Sequence, residues 1–270
     1  KKKKKKKKRS IVGSVRCGKG TADMQLPDIL FSQGFGTRRV CAGLVQQGWV
    51  EVSLDGQPFD KCTDSIAEYD PEGLRLLVQG QEWPWCEKAY ILLYKPAGTE
   101  CSQKPSAYPS VYTLLPAPLR QRPTKNAIQG VQAVGRLDQD TTGLLLLSDD
   151  GQFIHRMTSP KKHVPKVYEV TAKHPVDARQ ISKLLEGVVL DDDPTAVKAA
   201  GAELIGSHQL KLTLLEGKYH QVKRMLAAVG NRVEQLHRSQ IGALELPESL
   251  KPGEWMWLGK EHLRDLGFQG

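Results

Sequence analysis

The sequence predicts an α+β fold, and three features of its patterning carry that prediction. Strand-like and helix-like segments are mixed without the regular alternation of a doubly wound sheet. The strand-like segments of the second half are short. They either alternate, as at Leu210, Leu212 and Leu214, or run continuously apolar between turn residues, as at Leu144 to Leu147. Finally, a stretch from Gln79 to Glu87 punctuated by Gly80, Trp83, Pro84 and Trp85 reads as a linker. The expected organisation is a flexible basic tail over residues 1–24, a small domain over 25–84, and a larger domain over 85–270 built on a largely antiparallel mixed sheet.

In chain order, residues 1–24 have no periodicity, and the like charges of Lys1 to Lys8 repel one another, so this segment is expected to be disordered. Gly13-Ser14-Val15-Arg16-Cys17-Gly18-Lys19 matches most of a phosphate-binding loop. However, Gly20 stands where a hydroxyl residue is needed and no strand precedes it, so no nucleotide site is assigned. Leu26, Ile29 and Leu30 have helical spacing, Gly34-Phe35-Gly36 breaks it, and Thr37 starts a second helix carrying Arg38, Arg39, Val40, Leu44 and Val45. Gly48 ends that helix, Trp49 to Val52 alternate as a strand, and Asp55-Gly56 is a hairpin-type turn. A strand from Ala89 to Tyr94 opens the larger domain. Residues 102–126, rich in Pro and Ser, read as a long loop with one helical turn around Tyr112 to Leu115. Beyond it come the leucine strand, a strand from Val167 to Thr171, a helix with Ile181, Leu184 and Leu185, the alternating strand around Leu212, and a helix from His220 to Val229 closed by Gly230-Asn231.

The formal net charge is +9, but Lys1 to Arg9 supply nine of the 39 basic residues, and the 30 that remain balance 30 acidic ones. Within the body, basic residues cluster around Arg156 to Lys173 and around Lys218 to Arg238, whereas Asp191 to Asp193 form an acidic block elsewhere. Segregation of this kind suits a phosphate-binding face. The five cysteines contain no C-x-x-C pair, which suggests reduced cytosolic thiols rather than a disulfide framework or a zinc site. No apolar run approaches the ~18 residues of a membrane span. There is no G-x-S-x-G and no H-E-x-x-H, so hydrolase and zinc-protease chemistry lack support.

The richest stretch is Gly135-Arg136-Leu137-Asp138-Gln139-Asp140-Thr141-Thr142-Gly143, followed by the leucine strand and Ser148-Asp149-Asp150-Gly151. Asp138 lies on a loop between two strands, next to a cation, and a rigid scaffold that presents a carboxylate in this way is a common route to a site. Read locally, the same residues also fit a tight turn capped by Asp138 and Asp140. The segment resembles the catalytic motif of the RNA pseudouridine synthases, in the form used by the ribosomal small-subunit group and its large-subunit relatives. Three further matches follow the family's order: Tyr90 to Gly98 with its Lys95-Pro96, Ser159 to Val170, and Glu216 to Met225 with Asn231 and Leu236-His237-Arg238 after it. Together they span residues 89 to about 258. The two helices and small strand unit at the N-terminus resemble the S-four-type RNA-binding domain of ribosomal proteins.

The resemblance implies site-specific conversion of uridine to pseudouridine in ribosomal RNA, by a monomer in the cytoplasm acting on ribosomal RNA or a ribosomal-subunit precursor. The wording around Tyr219 to Arg224, Asp149 to Gly151 and His155 to Pro160 points to the small subunit. Large-subunit RNA and a non-catalytic RNA-binding assembly factor are the alternatives. The reaction breaks a glycosidic bond, turns the base and rejoins it through carbon, so no metal, nucleotide or redox cofactor is expected. Asp138 is implied as the catalytic carboxylate and Tyr168 as the residue that stacks on the flipped base. On the helix after His220, Val222, Met225, Leu226 and Val229 form an apolar stripe with Lys223 at its edge and Arg224 pointing away. Lys223 is therefore expected to pair with a buried Asp138, and Arg224 to meet RNA phosphate. Arg136, Lys161, Lys162 and Lys166 are the remaining RNA-binding candidates of the larger domain, and Arg38 and Arg39 those of the smaller. Lys95 and Pro96 are expected to shape the site rather than react.

Overall fold

A computed structural model of the protein describes residues 22–125 and 128–269. The N-terminal lysine run and the segment Gly13 to Gly20 lie outside them. The chain forms two compact units, one of residues 22–30 and 38–85, the other of 31–37 and 86–269.

In the smaller unit the helix Arg38–Gln46 buries Cys41 and Val45, and four antiparallel strands follow in the spatial order Asp60–Lys61, Val50–Ser53, Arg75–Val78, Gln81–Pro84. The predicted turn is present at Asp55-Gly56, where both residues have positive φ and Gln57 donates to the Leu54 carbonyl. The expected linker is a correction. Gln79-Gly80 is a hairpin turn with both residues at positive φ, and Gln81–Pro84 is a strand whose Trp83 is fully buried. Pro84 is tolerated because that strand is at the sheet edge.

The larger unit is a nine-stranded mixed sheet. Its main path runs Gly201–Leu204, Gln209–Leu214, Lys166–Ala172, Val233–Ile241, Thr142–Ser148, Tyr90–Lys95, Trp255–Trp257. All neighbours are antiparallel except Val233–Ile241 beside Thr142–Ser148. Leu144 to Leu147 show no alternation because this central strand is covered on both faces, and all four are fully buried. Leu144 and Leu146 pack with Phe153, Met157 and Phe268, the two rings meeting edge to face at 5.1 Å.

The turn residues after the leucines explain themselves structurally. Asp150 caps the helix Gly151–Thr158, accepting from Gln152 and Phe153 amides, and also accepts from the Tyr90 hydroxyl at 2.7 Å. Asp149 accepts from the Ala89 amide at 2.8 Å and pairs with Arg122 at 2.8 Å. The long loop predicted over 102–126 holds more order than expected. A 3₁₀ turn, Val111–Leu114, is followed by a short helix, Ala117–Gln121, which delivers Arg122 into the interior.

Candidate active site

Where the strand Thr142–Ser148 meets Val233–Ile241, the two backbones run unusually close. Gly143 faces Arg238 there at φ +111°, and a Cβ on Gly143 would lie 2.2 Å from the Arg238 carbonyl oxygen. Only glycine fits. The preceding loop therefore ends against the centre of the sheet, and Asp138 sits on it.

The loop is held from beneath by Lys95. This side chain is fully buried, and its ammonium donates to the carbonyls of Pro96 (3.0 Å), Gln139 (3.2 Å) and Thr141 (2.8 Å). Burial lowers its pKa, opposed by the charges of Cys101, Asp140 and Asp138. The Gly98 amide adds a bond to the Gln139 carbonyl at 2.8 Å. Lys95-Pro96 thus shapes the loop, and its ammonium is fully used in doing so.

Asp138 faces two cationic or potentially cationic groups. Its Oδ2 is 3.0 Å from Lys223 Nζ, and its Oδ1 is 3.2 Å from His220 Nε2. Lys223 also reaches Asp140 Oδ1 at 2.9 Å, so one ammonium bridges two carboxylates. Burial alone would lower the Lys223 pKa, but hydrogen bonds to Asp140 and Asp138 outweigh it and hold the ammonium above its ordinary value. Partial burial of Asp140 is likewise overcome by Lys223, and its carboxyl is held below the usual range. The expected buried pair needs correction: the Asp138 and Lys223 side chains are 30% and 29% exposed. Both line a small open recess, and Asp138 also borders the adjoining cleft, where a substrate can reach the carboxylate.

The helix Gln221–Ala228 delivers Lys223 as its stripe predicts, with Val222, Met225 and Leu226 buried. His220 precedes it in a left-handed conformation, φ 45°, and Tyr219 stacks on its ring at 3.7 Å. Tyr168 is buried on the strand Lys166–Ala172 and lines the recess beside Asp138 with Leu137, Thr141 and Leu236. The main cleft, about 540 Å³, is bordered by Cys101, Arg136, Asp138, Lys166, His220 and Arg238. A second hollow of about 480 Å³, on the side of Asp140, is lined by no lysine or arginine. A phosphate-bearing ligand therefore suits the first.

The remaining predicted residues scatter. Arg136 and Lys166 border the cleft, whereas Lys161 and Lys162 lie exposed on the 3₁₀ turn Pro160–Lys162 and are not part of its wall. Arg38 and Arg39 belong to the smaller unit, Arg38 bonded to Asp28 at 2.8 Å. Arg224 does point away from Asp138, but its guanidinium is bonded to Asp192 and to the Tyr219 carbonyl. The acidic block is thus not elsewhere: Asp192 meets Arg224, and Asp193 meets Lys218 at 2.6 Å. His220, Asp140 and Arg238 were not among the predicted site residues, though all three lie inside the motifs singled out in the sequence. Their signal was available only as residue type, since nothing local shows which side chains turn toward Asp138.

The arrangement places a reachable carboxylate, contacted by an ammonium and an imidazole, beside a buried tyrosine at the edge of a cleft that also holds Arg136, Lys166 and Arg238. Such a site can attack or stabilise an electron-poor carbon on a polyanionic substrate. The family model described as RNA pseudouridylate synthase matches residues 89–228. The ribosomal small subunit pseudouridine synthase A of Pasteurella multocida is 41% identical over 213 residues, covering 78% of this chain and 87% of that protein. That of Salmonella typhimurium is 39% identical over 245 residues, covering 89% and 99%. A solved structure described as a pseudouridylate synthase superposes with a TM-score of 0.61 at 34% identity, over 90% of this chain and 99% of that one. The chain belongs to the RNA pseudouridine synthase family.

Proposed function

We propose that this enzyme converts a uridine of small-subunit ribosomal RNA to pseudouridine, with Asp138 as its catalytic carboxylate. The observation that carries this reading is Asp138 itself, contacted on one oxygen by Lys223 and on the other by His220 at the border of the cleft. The target base leaves its stack, Tyr168 packs against it, and Asp138 acts at the sugar carbon, by attack or by assisting elimination, while the glycosidic bond breaks. The freed uracil turns and rejoins through carbon, and the carbon-bound proton passes to a base in the cleft. The nitrogen freed from the sugar takes up a proton in exchange for the one lost from carbon, so product and substrate are isomers and no outside group is transferred.

Arg136 and Lys166 hold backbone near the target, and the smaller unit adds an RNA grip through Arg38 and Arg39. The protein acts as a monomer in the cytoplasm on ribosomal RNA or a ribosomal-subunit precursor. The similarity to enzymes named for the small subunit supports that substrate. Pseudouridine mapping of ribosomal RNA from cells lacking the gene tests it. Loss of one small-subunit pseudouridine, restored by the wild-type gene, is expected; loss confined to the large subunit would redirect the assignment.

A further inference from the structure

Arg238 is among the most deeply buried charged groups of the larger unit, 3% exposed. Its Nε donates to the Leu144 carbonyl at 2.9 Å, while its Nη2 has no hydrogen-bond partner. A buried charged donor without a partner is costly. Its neighbour deepens the imbalance. Arg238 is directly opposite Tyr168 on the adjacent antiparallel strand, and Lys166 lies two residues before Tyr168, so the three share one face of the sheet. The register shifts between Val167 and Tyr168, leaving Ser239 as the extra residue of a bulge, a device that re-aims side chains beside active sites.

Lys166 and Arg238 both border the cleft that contains Asp138. The Lys166 ammonium donates to the Val164 carbonyl at 3.1 Å, and among the described residues neither cation has a carboxylate partner. The carboxylates bordering the same cleft are already engaged. Asp138 faces Lys223 and His220, and Glu100 accepts from the amides of Ser106, Ala107 and Tyr108. Burial, reinforced by the charge of Arg238, pushes the Lys166 pKa down to about 8. Two cations pressed together on one wall, with an unused donor, form a site short of one anion.

We propose that Lys166 and Arg238 form a built-in subsite for one RNA phosphodiester, which fixes the backbone of the nucleotide seated over Asp138. This deepens the proposed function and rests on it for the identity of the polymer, but the subsite can be tested without turnover. A phosphodiester carries one negative charge and two free oxygens, enough to accept from Lys166 Nζ and from the Arg238 guanidinium at once. Placed beside Tyr168, it would fix the sugar while leaving the base free to turn.

The test is a titration of the full chain, labelled with ¹⁵N, following the Arg238 Nε–H signal, which Arg238→Lys assigns by its disappearance. Dimethyl phosphate serves as the diester probe, inorganic phosphate as the free-anion probe, and chloride at matched ionic strength as the control. A saturable shift with dimethyl phosphate, weakened at least tenfold in Lys166→Met, is expected. A response no larger than that of chloride, or one undiminished in Lys166→Met, overturns the subsite. Saturation by inorganic phosphate but not by dimethyl phosphate overturns the assignment to a diester. None of these results depends on pseudouridine formation, so failure of the subsite and failure of the enzymatic reading stay distinct.

Discussion

Two aspartates of one motif, Asp138 and Asp149, each meet a cation, and the two pairs could hardly differ more in their surroundings. Arg122 and Asp149 are 2% and 6% exposed, and the guanidinium also bonds Gln33 Oε1 and the carbonyls of Cys86 and Glu87. Lys223 and Asp138 are about a third exposed, and the ammonium is shared with Asp140. A planar fork with several donors suits a buried junction of several chain segments, whereas a compact ammonium suits a carboxylate that must stay reachable. The first pair ties buried chain segments together and the second, on the function proposed above, serves the chemistry, although the sequence writes both as Asp beside turn residues.

The largest effect on stability is expected at the buried pair. Arg122→Met leaves the buried Asp149 carboxylate without its cation and the Glu87 carbonyl without this donor, which should cost about 3–5 kcal/mol. Urea unfolding of the intact chain measures it, and a loss under about 1 kcal/mol would remove the contrast. At the open pair the balance reverses. Lys223→Met should shift stability by less than about 1 kcal/mol because solvent screens the charges, yet lower the rate at saturating RNA by about 10²-fold. Arg224→Met sharpens this further: its guanidinium is occupied by Asp192, so the rate should change by less than about threefold.

A smaller effect concerns Lys166. Its native pKa of about 8 lies below the ordinary 10.5, so between those values the unfolded chain holds a proton that the native one has released. Wild-type stability therefore rises with pH across that window. Arg238 presses on Lys166 from the neighbouring strand, while Arg136, Asp138 and His220 face the same cleft. Without added anion, Lys166→Met should be more stable than wild type at pH 7 by roughly 1 kcal/mol, solvent screening reducing the full value, and the gap should close toward pH 10. Thermal melts at both pH values check the sign. The smallest effect is expected at Arg38 and Arg39, where the double alanine variant should reduce the salt slope of RNA binding by about two, one per lost phosphate contact, with the saturated rate intact.

Much of this was legible in the sequence, for reasons that also mark its limits. The leucine strand, the Asp138 loop and the helix bearing Lys223 were readable because each depends on local periodicity bounded by turn residues. The Gln79-Gly80 hairpin was read as a linker because Gly80 and Pro84 punctuate the stretch, and Gln, an uncommon choice for a left-handed turn position, does not signal the turn. The helix Ala117–Gln121 is too short for a period to appear. Arg122 and Arg238 were hardest: a charged side chain reads as surface unless its partners are visible, and theirs lie up to 89 and 94 positions away in the chain. The contact of Arg224 with Asp192 was hidden for the same reason, since Asp192 reads as part of a separate acidic block.

The contrast between the two aspartates is tested most directly by Asp138→Asn and Asp149→Asn, each assayed for pseudouridine formation on small-subunit ribosomal RNA and for unfolding free energy on the same preparation. Asp138→Asn should lose activity by at least about 10³-fold with stability within about 1 kcal/mol of wild type, whereas Asp149→Asn should lose about 3 kcal/mol or more and keep its rate per folded molecule. Appreciable turnover by Asp138→Asn, or a loss of turnover in Asp149→Asn without a loss of stability, would contradict the account.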